Sequence, residues 1–529
     1  MWECDWNNMK EAEPDLQQFV ENNIHKFSPM DPFKAFSGGR VETFKMLIND
    51  ERRLLYVDIN SLYPFVNSTC KYPKGHPEII LHNFGDFETI CERYFGFIYC
   101  KILAPQDLHI PVLPGKYGVD NKLIFSLCRL CATSDPRQCS LCEHLDEDRC
   151  LTGTWFSEEL QLALEKGYKI QTVYGVYHFK EVTTTLFSEY VKSFYKIKLL
   201  NSGVPNLSEE ELQQFLSEVK ERDGIDLSGE QFCDNPSLRN ISKLCLNSLW
   251  GKFGTRRMLN ESFFCSSTAE IRDIFNNENN IVTDIIEMNP NIALTITKKK
   301  KLEYLEMNNV ANIYIAACTT AHARIILYKY LEKLGERVVY CDTDSIIYEF
   351  EEGNNIPSSN FLGEMKNELD ADDYITHFVS GGPKNYAFIT KKSVVTVKIK
   401  GFTIHVLNAT EITFENLKTL VIKYSEEMDD LENEDDDVPR KQLKHSTEIY
   451  KTHEEHKNEA AIKFMENIRM KQHNAYSTER YIATLNVNKI GISKDWKVTS
   501  RIEQKLLTCN YNKRIILSDF STRPFGFRK

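Results

Sequence analysis

The chain has 529 residues, 42% of them hydrophobic and 27% charged, with a formal net charge of −11. This is a globular composition, long enough for several cores, and no apolar run reaches the roughly 18 residues of a membrane span. Bulk charge argues against phosphate binding, but nine acids fall in one stretch, residues 426–437. Basic clusters at 298–301, 384–400 and 494–514 therefore leave a polyanionic partner open, although each could be a solvated face. Fifteen cysteines, with an N-terminus lacking signal-peptide order, point to a reducing intracellular compartment and not to secretion.

Residues 1–50 mix helical signals with a Gly38-Gly39-Arg40 turn and read as the tail of something rather than a domain. Leu54 to Val57 is a continuous apolar run ending on Asp58. That places Asp58 at the C-terminal edge of a buried strand, where sheet proteins commonly bind ligands. Asn60 and Ser61 follow as turn formers and caps, leaving the N–H groups of residues 59–62 to meet an anion. An ordinary strand end is the alternative.

Short strands with Gly and Pro punctuation occupy residues 78–175. Within them Cys128-x-x-Cys131 and Cys139-x-x-Cys142 are separated by seven residues, with His144 and Cys150 behind. Four such cysteines have the ligand count of a tetrahedral zinc site; free thiols in a loop are the alternative. Helical patterns follow at 183–200 and 208–222, the second opened by a capping box at Ser208 and Glu211.

Asp234-Asn235-Pro236 is a helix start and predicts a helix from Ser237 to Trp250 that stops at Gly251 or Gly254. Arg239, Lys243 and Asn247 recur every four residues, and with Trp250 they share one face. Two cations a turn apart suit a polyphosphate, and the ring suits a base; a solvated basic face is the plainer reading. Residues 260–305 are polar and read as a small hairpin or insertion. Val310 to Leu334 contains no Gly or Pro and predicts a long helix.

That helix delivers the chain into Val338-Val339-Tyr340-Cys341-Asp342-Thr343-Asp344-Ser345-Ile346-Ile347-Tyr348. Two apolar runs of β-favouring residues flank Asp-Thr-Asp, so the pattern is a hairpin with acids at its tip. Their repulsion is relieved either by solvent, in an ordinary turn, or by a divalent cation. After a Gly381-Gly382-Pro383 turn, Lys384 and Tyr386 fall two apart and predict one strand face, fit for a nucleic-acid backbone or for a half-buried ring. Residues 411–470 read as helical, and the last 50 as short strands.

Four of these stretches, in this order, resemble the motifs of family-B DNA polymerases. Asp58-Ile-Asn-Ser61-Leu62-Tyr63-Pro64 resembles palm motif A, and Lys243 to Gly251 resembles fingers motif B. Tyr340-Cys-Asp342-Thr343-Asp344-Ser345 resembles motif C, and Pro383-Lys384-Asn-Tyr386 resembles the lysine–tyrosine motif. The resemblance covers roughly residues 50–410. Its insertions, with Trp2 to Trp6 and Gly38-Gly39-Arg40, look like the protein-primed branch of Polinton/Maverick elements, adenovirus-like viruses and linear plasmids. Two features depart from the pattern. Trp250-Gly251 stands where the family has Tyr-Gly. Motif A lies 58 residues from the start, so the 3′–5′ exonuclease domain and its proofreading are expected to be absent.

The resemblance implies an α+β, right-hand polymerase architecture, with a palm (an antiparallel sheet carrying the carboxylates), helical fingers and thumb, and two insertions. It implies an N-terminal remnant at 1–50, palm at 51–77 and 306–410, an insertion with the Cys cluster at 78–180, fingers at 181–259, a second insertion at 260–305, and thumb and C-terminal region at 411–529. It implies DNA-directed DNA polymerase activity through two Mg²⁺ ions, with Asp58 and Asp344 as ligands and Asp342 as a supporting acid. Ser61, Leu62, Tyr63, Arg239, Lys243, Asn247 and Trp250 would bind the deoxynucleoside triphosphate, with Tyr63 excluding a ribose 2′-hydroxyl. Lys384 and Tyr386 would hold the primer. Apart from the resemblance, the spacing of Cys128, Cys131, Cys139 and Cys142 leaves zinc or free thiols open. Template-primer DNA and a terminal priming protein are the expected partners, and a nucleus or viral replication site the expected location. A reverse transcriptase fits less well, since those enzymes favour adjacent acids. A decayed remnant that binds DNA without catalysis is the rival of another class.

Overall fold

The structure is a computed structural model. It describes residues 30–528 apart from 51, 119–120, 134–141, 204–206, 256–260, 266, 290–292, 301–310, 402–411, 434–480, 493–497 and 510, with a few positions before Met30. Cys139, Trp2 to Trp6, the end of the acidic stretch and part of the 494–514 run lie outside the described residues.

A nine-stranded antiparallel sheet organises the chain. Its strands are β1 (Val41–Thr43), β2 (Leu47–Ile48), β3 (Leu54–Ile59), β4 (Val338–Asp342), β5 (Ser345–Glu349), β6 (Met365–Asn367), β7 (Ile375–Gly382), β8 (Asn385–Thr390) and β9 (Val395–Ile399). They lie in the order β1-β4-β5-β3-β7-β8-β9, with β6 also paired to β3 and β2 to β7. Alternate residues feed two cores. Val57, Ile59, Ile346 and Tyr348 belong to one, and Leu54, Tyr56, Tyr340 and Ile347 to the other. Burial on both faces is why these strands read as continuous apolar runs.

Register then places the acids. Ser345 pairs with Asp58 and Val41 with Asp342, so a slip of one residue would turn Asp58 to the opposite face.

The N-terminal boundary expected at residue 50 does not hold. β1 pairs with the acid-bearing hairpin and β2 with β7, so residues 41–48 are part of the same sheet. Residues 511–528 return to this edge. Tyr511 Oη accepts from the Thr43 N–H at 3.0 Å and donates to the Thr43 carbonyl at 2.9 Å, and the Thr522 N–H donates to the Phe44 carbonyl at 2.8 Å. Arg40, Glu42 and Arg514, each at most 2% exposed, form a buried charge cluster behind them.

Four helices set the site. α1 (Leu62–Thr69) follows β3 directly; α2 (Ser188–Leu200) and α3 (Pro236–Phe253) pack together; α4 (Ile313–Leu334) joins the first core through buried small residues from Ala316 to Ala321. α3 starts as its sequence dictates, with the Asn235 side chain accepting from the Leu238 N–H, and runs through Gly251 to Gly254. Its buried positions are Ser242 and Leu246, whereas Leu238, Ile241 and Leu244 are exposed. α4 ends at Gly335, and a 3-10 turn over Gly335–Arg337 feeds β4. The Ser208–Glu211 capping box is present.

Residues 261–300 are more than the expected hairpin. Strands Glu261–Cys265, Asn280–Asn289 and Ala293–Lys300 form a three-stranded sheet, with helix Thr268–Asn276 inserted. A separate four-stranded sheet joins Glu78–Ile80, Lys169–His178, Gly96–Leu103 and Leu151–Phe156. Among the described residues, no helix is long and apolar enough to cross a membrane.

Candidate active site

The β4–β5 hairpin turns on Thr343 and Asp344, and Thr343 takes a left-handed φ of 63°. Three backbone bonds hold this geometry. The Thr343 N–H donates to the Arg40 carbonyl, the Asp344 N–H to the Asp342 carbonyl, and the Ile59 N–H to the Asp344 carbonyl, each at 2.7 Å. The last of these fastens the hairpin tip to the end of β3, beside Asp58. Gly39 lies against the tip: a Cβ there would come within 2.8 Å of the Thr343 side chain, so only glycine permits the approach.

The three acids are in different electrostatic states. Burial, then the charges of Asp344 and Glu368, push the Asp58 carboxyl up to about 7; Lys243 and Lys398 oppose the shift. Burial and then Asp342 push Asp344 up to about 6, against the pull of Lys384. Asp342 has its own cation: Lys384 Nζ donates to both its oxygens, at 2.6 and 2.8 Å. The acids open onto a cleft of about 790 Å³, also lined by Tyr56, Lys384, Tyr386, Lys398 and Lys400.

A cationic cluster faces them. Arg239, Lys243 and Asn247 are on the exposed side of α3. At the end of α2, Lys198 donates from Nζ to Ser61 Oγ at 3.0 Å. Burial, then Lys243, Arg239 and Lys366, lower the Lys198 ammonium to about 8, while Asp58 works the other way. Cations crowded together so that one is destabilised make a site that an anion relieves.

The aromatic residues partner one another. Tyr63 packs on Trp250 with ring centroids 4.5 Å apart and planes tilted by 30°, and Phe36 meets Trp250 edge-on at 6.4 Å. Trp250 Nε1 is buried and has no hydrogen-bond partner among the described residues.

The family model described as "DNA polymerase type B, organellar and viral" matches residues 33–216 and 228–335. The chain belongs to the organellar and viral type B DNA polymerases. Among its relatives, a "Probable DNA polymerase" of Neurospora intermedia is 26% identical over 420 residues, 77% of this chain and 35% of that protein. One of Podospora anserina is 26% identical over 390 residues, 68% of this chain and 26% of that one. The chain thus spans about a third or less of the length of these curated relatives. Phi29 DNA polymerase complexed with primer-template DNA and incoming nucleotide substrates has a TM-score of 0.48 at 18% identity, over 73% of this chain and 57% of that chain.

In this type B polymerase chain, the four motif stretches converge from far apart in sequence: the end of β3 with α1, the face of α3, the β4–β5 hairpin and the β7–β8 turn. Several side chains depart from expectation. The N–H groups of Ile59 and Asn60 are already bonded, to the carbonyls of Asp344 and Glu364, so residues 59 and 60 do not offer free donors. Ser61 occupies the N-cap position with a left-handed φ of 55° and no side-chain cap. Leu62 is 1% exposed and serves the core. Lys384 is not on the same strand face as Tyr386. It sits in the β7–β8 turn with a φ of 62°, which swings its side chain to Asp342. Tyr386 is 5% exposed, 4.8 Å from the Tyr340 ring, with its hydroxyl 3.5 Å from that of Tyr56.

Four further residues enter the region that the motif reading did not single out: Lys198, Lys366, Lys398 and Glu368. Only the basic run 384–400 hinted at Lys398. Away from the cleft, and among the described residues, Cys128, Cys131 and Cys142 meet His144; Cys139, the fourth expected ligand, lies outside the described residues.

Proposed function

We propose that this chain is the catalytic part of a DNA-directed DNA polymerase, joining deoxynucleotides to a primer 3′-hydroxyl. The observation that supports this best is that Asp58 and Asp344 line one cleft, with the hairpin tip fastened to the end of β3 by the Ile59 N–H bond to the Asp344 carbonyl. Both carboxyls are pushed up by burial and by neighbouring acids, and they stand opposite the Lys198, Lys243 and Arg239 cations.

Magnesium fits these residues. The donors are hard carboxylate oxygens; burial first, and then repulsion from neighbouring acids, raises both carboxyls, and a divalent cation relieves that repulsion. Two such ions held by Asp58 and Asp344 would supply positive charge to the attacking and leaving oxygens. Asp342, already paired with Lys384, supports the hairpin and its charge instead of ligating. Lys198, Lys243 and Arg239 hold the β- and γ-phosphates and stabilise the charge that develops there. The backbone at Ser61 and Leu62 completes that cradle. Tyr63, backed by Trp250, closes the sugar side against a 2′-hydroxyl, and Asn247 borders the nascent base pair. Lys384, Tyr386 and Lys398 steady the primer end. Base pairing copies the sequence, so DNA is gripped through backbone and shape.

The finer reading is priming by a terminal protein in replication of a viral or transposable element, at an intracellular, nuclear or viral replication site. Its support is the motif resemblance to the Polinton/Maverick, adenovirus-like and linear-plasmid enzymes, and the insertions between the motifs. The test is extension of a labelled primer on template DNA with deoxynucleotides and Mg²⁺. Extension supports the assignment; binding of the duplex without extension favours a non-catalytic remnant.

A further inference from the structure

We propose that Cys128, Cys131, Cys142 and His144 bind one zinc ion, which staples the C-terminal segment 511–528 to the first insertion beside the acid-bearing sheet. This site is independent of the polymerase reading, and nothing in that reading requires it.

The donor atoms of these four residues all lie within 4.8 Å of one another. His144 Nδ1 is 3.5 Å from Cys128 Sγ, 3.3 Å from Cys131 Sγ and 3.7 Å from Cys142 Sγ. A tetrahedral zinc with Zn–S near 2.3 Å and Zn–N near 2.0–2.1 Å separates its sulfur and nitrogen ligands by about 3.5 Å. The three distances straddle that value. Cys128, Cys131 and Cys142 are at most 1% exposed, and the Cys131 N–H donates to Cys128 Sγ at 3.5 Å. Soft thiolates with one imidazole select zinc over magnesium or calcium. The spacing is too tight for a multi-iron cluster. Four protein ligands leave no open position, so the ion is structural.

Its role follows from what touches the knuckle. A Cβ on Gly526 would come within 2.5 Å of Cys128 Cβ, and Gly526 has a φ of 88°. Only glycine lets the C-terminal segment lie so close. The Leu127 N–H donates to the Phe525 carbonyl at 2.8 Å. Phe525 and Ile515 share an apolar cluster with Cys128, Cys131 and Cys142. The same segment reaches β1 through the Thr522 hydroxyl, which donates to the Thr43 carbonyl at 2.9 Å, and through Arg514 beside Glu42, and β1 pairs with the strand that ends in Asp342. The ion thus anchors a brace for the edge of the catalytic sheet.

The test is elemental analysis of the full chain purified without chelators, joined to amide exchange. About one zinc per chain is expected in the wild type and in Cys139→Ser, falling to about a tenth or less in Cys142→Ser and in His144→Ala. Because those variants could unfold, the wild type is also stripped with a chelator. Exchange at Leu127 and Thr522 should then speed by about ten-fold or more, and zinc should restore it. Iron in place of zinc, or no bound metal, overturns the proposal. Loss in Cys139→Ser with retention in His144→Ala overturns the ligand set. Unchanged exchange after zinc removal overturns the brace.

Discussion

Lys384 Nζ grips both carboxylate oxygens of Asp342, at 2.6 and 2.8 Å, and so separates two acids that the sequence sets one residue apart. Asp342 raises the carboxyl of Asp344 and Lys384 lowers it. Lys384→Ala should therefore leave Asp342 uncompensated and push Asp344 further up. The acid limb of the rate–pH profile is expected to move toward alkali by about half a unit to one unit, with Lys384→Arg restoring most of it. An unmoved limb, with activity merely lower, would show that Lys384 acts elsewhere.

The raised carboxyls make stability depend on pH with a definite sign. Asp58 moves from 3.8 to about 7 and Asp344 from 3.8 to about 6. Between these values the folded chain keeps protons that the unfolded chain has released, so the metal-free protein should lose stability as pH rises through that window. Mg²⁺ should offset the loss. Thermal midpoints are expected to rise with Mg²⁺ far more at about pH 8 than at about pH 5. Asp58→Asn should raise the metal-free midpoint at the higher pH and blunt the response to Mg²⁺.

Lys198 gives a kinetic prediction. Removing a hydrogen bond to a charged group costs about 1.5–3 kcal/mol, so Lys198→Met should raise the nucleotide KM by roughly ten- to a hundred-fold. Its ammonium is lowered to about 8, so the cation is lost as pH climbs past that value. Wild-type KM should then rise in alkali, and in Lys198→Met it should stay flat. Equal slopes in the two proteins would remove Lys198 from the triphosphate site.

Tyr63 and Trp250 form one wall, with centroids 4.5 Å apart. Tyr63→Val opens space beside the sugar and should weaken discrimination against ribonucleotides by up to about a hundred-fold. Trp250→Ala should do the same indirectly, by letting Tyr63 tilt away. Competition between ribo- and deoxynucleotides on one template measures this, and unchanged selectivity in both variants would end the gate assignment.

Much of the site was legible because its signals are local. Asp58 ends an apolar run, Asn235-Pro236 starts α3, and Asp-Thr-Asp interrupts two strand patterns. What escaped depends on distant contacts. Lys198 meets Ser61 across 137 positions, and Tyr511 meets Thr43 across 468; no periodicity announces either pair. The same holds for Arg40 and Glu42, which look like loop charges until Arg514 buries them. Tyr386 and Lys384 misled for another reason. A period of two applies only within a strand, and the left-handed turn at Lys384 ends that premise. His144 stands behind the two Cys-x-x-Cys pairs in the sequence, and only the fold brings it within reach of Cys128, Cys131 and Cys142.

Asp58 and Asp344 are proposed to hold the metal ions for nucleotide addition together. The most direct measurement is single-turnover incorporation of one deoxynucleotide onto a primer-template, with Mg²⁺, by wild type, Asp58→Asn and Asp344→Asn, with duplex affinity measured alongside. Each variant should lose about a thousand-fold in rate while binding the duplex as tightly as wild type. Near-normal incorporation by either variant would show that the metal ions are held elsewhere.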